Sequence, residues 1–389
     1  MASPPLDTET INSLTEAITE RLSGVIDPEL GLDIVSLGMV GAVSVGPEGQ
    51  VTVAVALTTP SCPLRGQIER DVRQAVLSLD QVSELSIEMG QLSEDAKAAL
   101  MDRARRAAQE DAPVTTIPAK ARVLGISSGK GGVGKSSVTA NLAVALARAG
   151  LTIGVLDADI WGFSLPRLLG LEGPIEAKDK KMVPKRLSVG PGELRVLSMG
   201  FLAEEDSAIM WRGLILNRAL QQFIEDAHWD GIDYLLIDLP PGTGDVQMGL
   251  ARLLPRTELI IVTTPPLAAQ NVAARAADMA RRGNLRVAGV IENMSDFTCE
   301  HGSSYALFGS GGGERLAHRL GVPFIGSIPL DPAVSSGGDQ GDPVAMGSSP
   351  VAERFAELAD RLLHEITPPR EIEGCTARML ATINEALDL

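Results

Sequence analysis

The chain has 389 residues, so two or more domains are expected. Its 44% apolar content is ample for a buried core, built mostly of Ala, Val, Leu and Ile because aromatics make up only 3%. A formal net charge of −16 argues against non-specific nucleic-acid binding, which needs a basic face. No run approaches the length of a membrane-spanning helix, and the opening Met-Ala-Ser-Pro-Pro-Leu-Asp has neither the basic nor the apolar stretch of a secretory leader. Cys62, Cys299 and Cys375 are far apart and odd in number, which points to a reducing cytoplasm rather than a disulfide framework. A cytoplasmic protein with neither nucleic-acid nor membrane partners is therefore expected.

Residues 8–106 read as a small α+β domain. Ile11–Ser23 is an amphipathic helix with Ile11, Leu14, Ile18 and Leu22 on one stripe. Val51–Leu57 reads as a strand, Leu64–Leu79 as a helix and Val82–Glu88 as a short strand. Glu94–Arg106 is a further helix, ending in Arg103, Arg105 and Arg106. Residues 107–121 form a linker, with Pro113 and Pro118, charge and no periodicity. The second domain spans residues 122–366. Its strand candidates are Val123–Ser127, Thr152–Asp157, Leu194–Ser198, Tyr234–Asp238, Leu259–Thr263 and Arg286–Glu292, with helical patterns between most of them. That alternation implies an α/β fold: a mostly parallel sheet covered by helices on both faces. Residues 367–389 are a tail with a candidate helix at Thr376–Leu387.

Gly129–Ser136 reads Gly-Lys-Gly-Gly-Val-Gly-Lys-Ser and fits the phosphate-binding loop of nucleotide hydrolases. It lies between a strand, Arg122–Ser127, and a helix, Val138–Ala149, which aims a helix N-terminus at an anion. Gly129, Lys130, Gly131, Gly132, Val133, Gly134, Lys135, Ser136 and Ser137 are the nucleotide-binding candidates. Lys135 would reach the β- and γ-phosphates, and the Ser136 hydroxyl would sit on Mg²⁺. Lys130 is either a solvated charge or a second catalytic lysine. Leu235–Asp238 is an apolar strand ending in a carboxylate, so Asp238 is the second Mg²⁺ candidate. The Leu-Pro-Pro-Gly-Thr-Gly-Asp run at 239–245 has the stiff-then-flexible character of a switch loop. Asp157 and Asp159 follow the second strand, where a carboxylate can orient an attacking water or merely cap a turn.

The string Lys130–Ser136 resembles the deviant Walker A, or ParA/MinD-like, ATPases. That resemblance implies a homodimer in which Lys130 of each protomer approaches the nucleotide of the other, and it matches Asp159 to the water-positioning aspartate. Asp157-Ala-Asp-Ile, Trp211-Arg-Gly, Asp238-Leu-Pro-Pro-Gly-Thr-Gly-Asp, Glu292-Asn-Met-Ser and Phe308-Gly with Gly311-Gly-Gly-Glu together resemble the Mrp/NBP35 (ApbC-like) family of ATP-binding iron–sulfur cluster carriers. Asp27-Pro-Glu29 and Leu57-Thr-Thr-Pro-Ser-Cys62-Pro63 look like the MIP18 (DUF59) domain that bacterial members often carry. The resemblance implies slow ATP hydrolysis, an adenine contact from Asn293 with Pro329–Asp331 closing the other side of the base, and transfer of clusters to apo-proteins.

One departure stands out. The family places a Cys-x-x-Cys pair after the Asn-Met-Ser segment, so that two protomers hold a [4Fe–4S] cluster with four thiolates. This chain has Cys299 at the first position and Gly302 at the second, with His301 as a possible nitrogen ligand or an incidental neighbour. Cys62, in a Pro-rich turn before a predicted helix, is a candidate transfer ligand or simply a packed cysteine. Cys375 has no metal spacing. Trp161-Gly-Phe-Ser and Trp211-Arg-Gly-Leu depart from the family's usual Tyr-Gly-Pro-Ser and Trp-Arg-Gly-Pro, which points to altered packing. Two other readings stay open: a nucleotide-switched adaptor that binds no cluster, and a positioning ATPase of the ParA/MinD kind, disfavoured by the acidic chain and tail.

Overall fold

The computed structural model describes residues 6–27, 30–58, 64–110, 113, 115–159, 162–179, 181–201, 213–242 and 244–369. Cys62, Cys375, Trp161, Trp211 and the candidate tail helix lie outside these residues. The chain divides into two compact units between residues 111 and 112.

The first unit contains α1 (Thr8–Leu22), β1 (Val40–Val45), β2 (Gln50–Leu57), α2 (Arg65–Leu77), β3 (Glu84–Gln91) and α3 (Glu94–Glu110). The strands form one sheet in the order β1-β2-β3, with β1 antiparallel to β2 and β2 parallel to β3. The 3.6-residue stripe of α1 buries Leu14, Ile18 and Leu22, and α2 buries Ile68, Val72 and Val76. Both meet Val51, Val53, Val55 and Leu57, the alternate residues of β2, in one core. Asp7 caps α1 by accepting from the Thr10 N–H.

The second unit is built on β4 (Arg122–Ser128), α4 (Lys135–Arg148), β5 (Thr152–Asp157), α5 (Leu165–Leu168), β6 (Glu176–Lys178), β7 (Lys181–Val183), β8 (Lys185–Val189) and β9 (Gly192–Ser198). It continues with α6 (Gly213–Glu225), β10 (Tyr234–Asp238), α7 (Asp245–Leu253), β11 (Glu258–Thr263), α8 (Leu267–Arg282) and β12 (Arg286–Asn293). A small hairpin follows, β13 (Phe297–Thr298) with β14 (Ser304–Tyr305), then α9 (Gly312–Leu320), β15 (Phe324–Ile328), α10 (Pro332–Gln340) and α11 (Pro350–Arg361).

Eight strands make one sheet in the order β15-β12-β11-β4-β10-β5-β9-β8, parallel except for β8 at one edge. Alternate strand residues feed two separate cores. Leu124, Ile126, Leu236 and Val262 pack with α4 and α11 on one face. Val123, Leu235, Ile237 and Ile261 pack with α6, α7, α8 and α9 on the other. Helices therefore cover both faces, and strands buried on both sides read as continuous apolar runs. The chain lays β5 and β9 on one side of β4 and, after β10, continues through β11, β12 and β15 on the other, so the strand order reverses at β4. The carboxyl ends beside such a reversal form the crevice where open α/β sheets bind ligands.

All six expected strands of this unit are present. The expected 107–121 linker is shorter in the structure. Helix α3 runs to Glu110, and residues 115–121 belong to the second unit. There Ile117 is buried, the Thr116 N–H donates to Ile224, and Arg256 caps the carbonyls of Ile117, Pro118 and Ala119. The expected boundary at residue 366 also moves outward. Thr367 is fully buried, with its carbonyl accepting from the Tyr234 hydroxyl, and Arg122 reaches the Pro368 carbonyl. Among the described residues no helix is long and apolar enough to cross a membrane.

Candidate functional site: the phosphate loop and the Cys299 hairpin

The loop joining β4 to α4 is shaped by its glycines. A Cβ on Gly129 would lie 2.3 Å from the backbone of Val272 and Ala273 in α8. Gly132 and Gly134 take φ of 76° and 77°, a left-handed conformation that disfavours any residue with a Cβ. Gly134 is the N-cap of α4, and Lys130, Gly131 and Gly132 face solvent. The exposed backbone thus wraps the N-terminus of a helix, where aligned N–H groups favour an anion.

Lys135, Ser136 and Asp238 come together as expected. Asp238, at the end of β10, is fully buried, and its Oδ2 accepts from Lys135 Nζ at 2.7 Å and from Ser136 Oγ at 2.6 Å. Thr139 completes the cluster, its Oγ1 donating to Asp238 Oδ1 at 2.7 Å. Sequence reasoning missed Thr139. Its signal was the i+4 spacing from Lys135, which puts both on one helix face. A serine hydroxyl touching a carboxylate is a hard-oxygen donor pair that fits Mg²⁺. The segment after β10 leans on the end of β4, since the Gly242 N–H donates to the Ser128 carbonyl.

The two aspartates at the carboxyl end of β5 differ in their surroundings. Asp157 is fully buried and turned inward. Its Oδ2 accepts from the Ser164 and Leu165 N–H groups and from Ser198 Oγ, and its Oδ1 from the Asp159 N–H. Burial, and then the neighbouring Asp238 charge, push its carboxyl up to about 7. Asp159 is half-buried and accepts only from the Gly162 N–H at 3.2 Å among the described residues. Burial raises its carboxyl above the ordinary range, with Lys135 pulling it back and Asp238 raising it further. A half-buried carboxylate with lone pairs to spare suits water positioning better than one whose oxygens already accept four hydrogen bonds.

Asn293, the last residue of β12, lies against the phosphate loop. It is buried, and its Nδ2 donates to the Val133 carbonyl at 2.9 Å. Asp331 is used as the N-cap of α10, accepting from the Ala333 N–H. Ser137 follows in α4, its carbonyl accepting from Asn141.

The Cys299 end differs in character. Cys299 sits at the tip of the β13–β14 hairpin, half-exposed, with its N–H donating to the Ser303 carbonyl at 3.0 Å. The backbone N–H groups of His301 and then Ser303 hold its thiol below the usual value, favouring the thiolate. Gly302 closes the turn onto the Cys299 carbonyl at φ 78°, with open space where a side chain would stand. His301 is exposed. So are Tyr305, Leu307 and Phe308, large apolar side chains on the return path of the hairpin. Among the described residues no group of three or more His, Cys, Asp or Glu is poised to hold a metal. A cavity of about 400 Å³ between α4 and α11 is lined by Ala145, Arg148, Ala352 and Asp360, at the end of α4 remote from Lys135.

The family described as NUBPL iron-transfer P-loop NTPase matches residues 120–363, and that described as iron-sulfur cluster assembly protein matches residues 15–89. The iron-sulfur cluster carrier protein of Mycobacterium leprae is 41% identical over 359 residues, covering 90% of this chain and 92% of that protein. Its namesake from Deinococcus radiodurans is 41% identical over 360 residues, covering 91% and 96%. A solved nucleotide-binding protein from Archaeoglobus fulgidus, in complex with ADP, is 36% identical with a TM-score of 0.51, covering 61% of this chain and 91% of its own. The phosphate loop on β4, the carboxylate on β10 and these matches place the chain in the family of NUBPL iron-transfer P-loop NTPases, with an iron-sulfur cluster assembly domain ahead of the NTPase.

Proposed function

We propose that the protein is an ATP-dependent iron–sulfur cluster carrier that works as a homodimer and passes clusters to apo-proteins. The observation that carries this reading is the pairing of a complete phosphate site with a thiol of lowered pKa on one exposed hairpin of the same domain. The similar proteins named iron-sulfur cluster carrier match nearly end to end, so the reading concerns the whole chain.

Lys135 is the group that must move. Its ammonium now neutralises Asp238, and an arriving triphosphate offers it a stronger partner. Ser136 and Asp238 would then hold Mg²⁺, which supplies neutralisation of the β- and γ-phosphate charge. Asp159 orients the attacking water by accepting one of its hydrogen bonds. The water oxygen bonds to the γ-phosphorus and the bond to the β-phosphate oxygen breaks. ADP leaves as the other product, and the water's protons go to inorganic phosphate and solvent. Lys130, exposed at the lip of the loop, is available to the nucleotide of a partner copy. Exposed Tyr305, Leu307 and Phe308 offer that copy apolar area beside Cys299.

The cluster is cargo. Two protomers bring two Cys299 thiolates, with His301 as the further ligand on the same hairpin; Cys62 would be a separate transfer ligand. Anaerobic reconstitution with iron and sulfide tests this. Wild type is expected to hold a cluster with visible charge-transfer absorption, and Cys299→Ala is expected to lose it. Wild type without iron, yet binding ATP, would contradict the carrier reading. A second reading draws on Gly302: with one cysteine per hairpin, the domain would act as a nucleotide-switched adaptor that docks assembly partners. That iron-free, ATP-binding outcome would favour it.

A further inference from the structure

The last residues of β12 touch both ends of the machinery. Asn293 donates to the Val133 carbonyl of the phosphate loop in a buried bond of 2.9 Å. The fit is close, since a Cβ on Gly134 would lie 2.3 Å from Asn293 Nδ2 and 3.7 Å from Met294 Cε. Met294 then takes φ 57°. Asp179 and Asn284 are the other described non-glycine residues at positive φ, and both are residue types that tolerate that region. Methionine has no side-chain group to compensate, so the strain is held by its neighbours, as strain at functional positions commonly is.

Past Met294 the chain is clamped again. Ser295 donates from its N–H and its hydroxyl to the Ile328 carbonyl, at 3.0 and 3.2 Å. The Asp296 carbonyl accepts from the Leu330 N–H at 2.6 Å. Phe297 then opens the hairpin that carries Cys299. The far foot of the same excursion returns to β12. The Gly313 N–H donates to the buried Glu292 carboxylate, and a Cβ on Gly313 would lie 2.6 Å from the Glu292 Cβ. Both feet of the Cys299 excursion thus stand at the end of β12. The strained residue lies between the clamp to the phosphate loop and the clamp to β15.

We propose that Asn293–Met294 is a tie that carries nucleotide occupancy of the phosphate loop to the Cys299 hairpin, with Met294 as its pivot. This rests on the reading of the loop as a nucleotide site and deepens it by naming the regulation. A phosphate taken up by the loop's N–H groups reorients the Val133–Gly134 peptide, and Asn293 follows the carbonyl it holds. Ser295 and Asp296 are held only at their bonds to Ile328 and Leu330, so rotation at Met294 turns this segment about those two bonds. The turn is passed to the hairpin, and residues 299–303, which set the thiol's hydrogen bonds, shift in exposure.

The test contains no iron. In full-length protein carrying Cys62→Ser and Cys375→Ser, Cys299 is the sole thiol, and its rate of reaction with N-ethylmaleimide is measured with and without saturating Mg·ADP. ADP binding is measured alongside by titration calorimetry. The tie predicts a rate ratio of about fivefold or more, the lower range of ordinary couplings between sites. Met294→Gly, which frees the pivot, is expected to bring that ratio close to one. Met294→Ala, which keeps the backbone demand, is expected to retain it. Equal rates with and without bound ADP in the parent protein would overturn the tie, as would a parental ratio surviving in Met294→Gly. Should Met294→Gly fold poorly, amide hydrogen exchange of the unsubstituted chain decides. Altered protection across residues 293–311 on adding Mg·ADP is expected, and unchanged protection overturns the proposal. A protein that takes up no cluster but shows the nucleotide-dependent thiol would refute the carrier reading and leave the tie standing. ADP failing to bind would remove both.

Discussion

The two ends of the P-loop NTPase domain are built in opposite ways. Around Asp238 the ammonium of Lys135 and the hydroxyls of Ser136 and Thr139 close on one buried carboxylate. Around Cys299 the backbone shapes a two-residue-per-strand hairpin most of whose side chains face solvent. The first arrangement is over-determined, because low dielectric makes each unpaired polar group costly. The second is lightly held, which suits a site that must release what it binds. A change near Asp238 should therefore reach both stability and catalysis. A change near Cys299 should reach cargo and spare the fold.

The harshest way to break the comparison is Lys135→Ala. It leaves the Asp238 carboxylate buried without its cation and is expected to cost about 3–5 kcal/mol in urea unfolding. ATP hydrolysis should fall by about 10³-fold, the scale attached to a lost charge at a transferring phosphoryl group. Next comes Gly134→Ala. It forces a side chain into φ 77° and against Asn293, for about 2 kcal/mol of stability together with weaker nucleotide binding in calorimetry.

The hairpin supplies the contrast. Gly302→Cys completes the Cys-x-x-Cys spacing. It should cost about 1 kcal/mol at φ 78°, yet raise the iron retained per dimer after gel filtration. Cys299→Ser should change the unfolding free energy by no more than about 0.5 kcal/mol. A large loss there would mean that the hairpin is structural after all.

A pH dependence sharpens the buried end. Burial raises the Asp157 carboxyl to about 7 from its ordinary 3.8, so the folded chain binds this proton more tightly than the unfolded chain. Ionising it costs stability above pH 7, and that cost is lifted as the pH falls through 7 toward 4. The melting temperature of nucleotide-free wild type, taken relative to Asp157→Asn, should therefore decline as the pH rises from about 4 to about 7 and level off above that. A flat difference would show that Asp157 titrates normally.

What the sequence disclosed follows from the same physics. Strands buried on both faces, such as Leu235–Asp238, announce themselves as apolar runs, and all six were legible. Three edge strands were not. β8 carries Lys185 and Arg186, β15 is interrupted by Gly326, and β1 is largely exposed with no buried alternation to betray it. The phosphate loop was readable because its glycines answer to the backbone alone. Thr139 and Ser198 were not, because their roles depend on Asp238 and Asp157 arriving from other strands. Nor could a pattern reveal that Glu292 and Asn293 would hold two different loops, since that needs the positions of α9 and the phosphate loop around the end of β12.

The central claim is that nucleotide turnover at the buried end governs cargo at the exposed end. Its most direct measurement is transfer of radiolabelled iron from reconstituted protein to an apo-ferredoxin, with and without Mg·ATP, in wild type and in Lys135→Ala. The account predicts faster transfer with ATP in wild type and no ATP effect in Lys135→Ala. Transfer at one rate under all four conditions would contradict it.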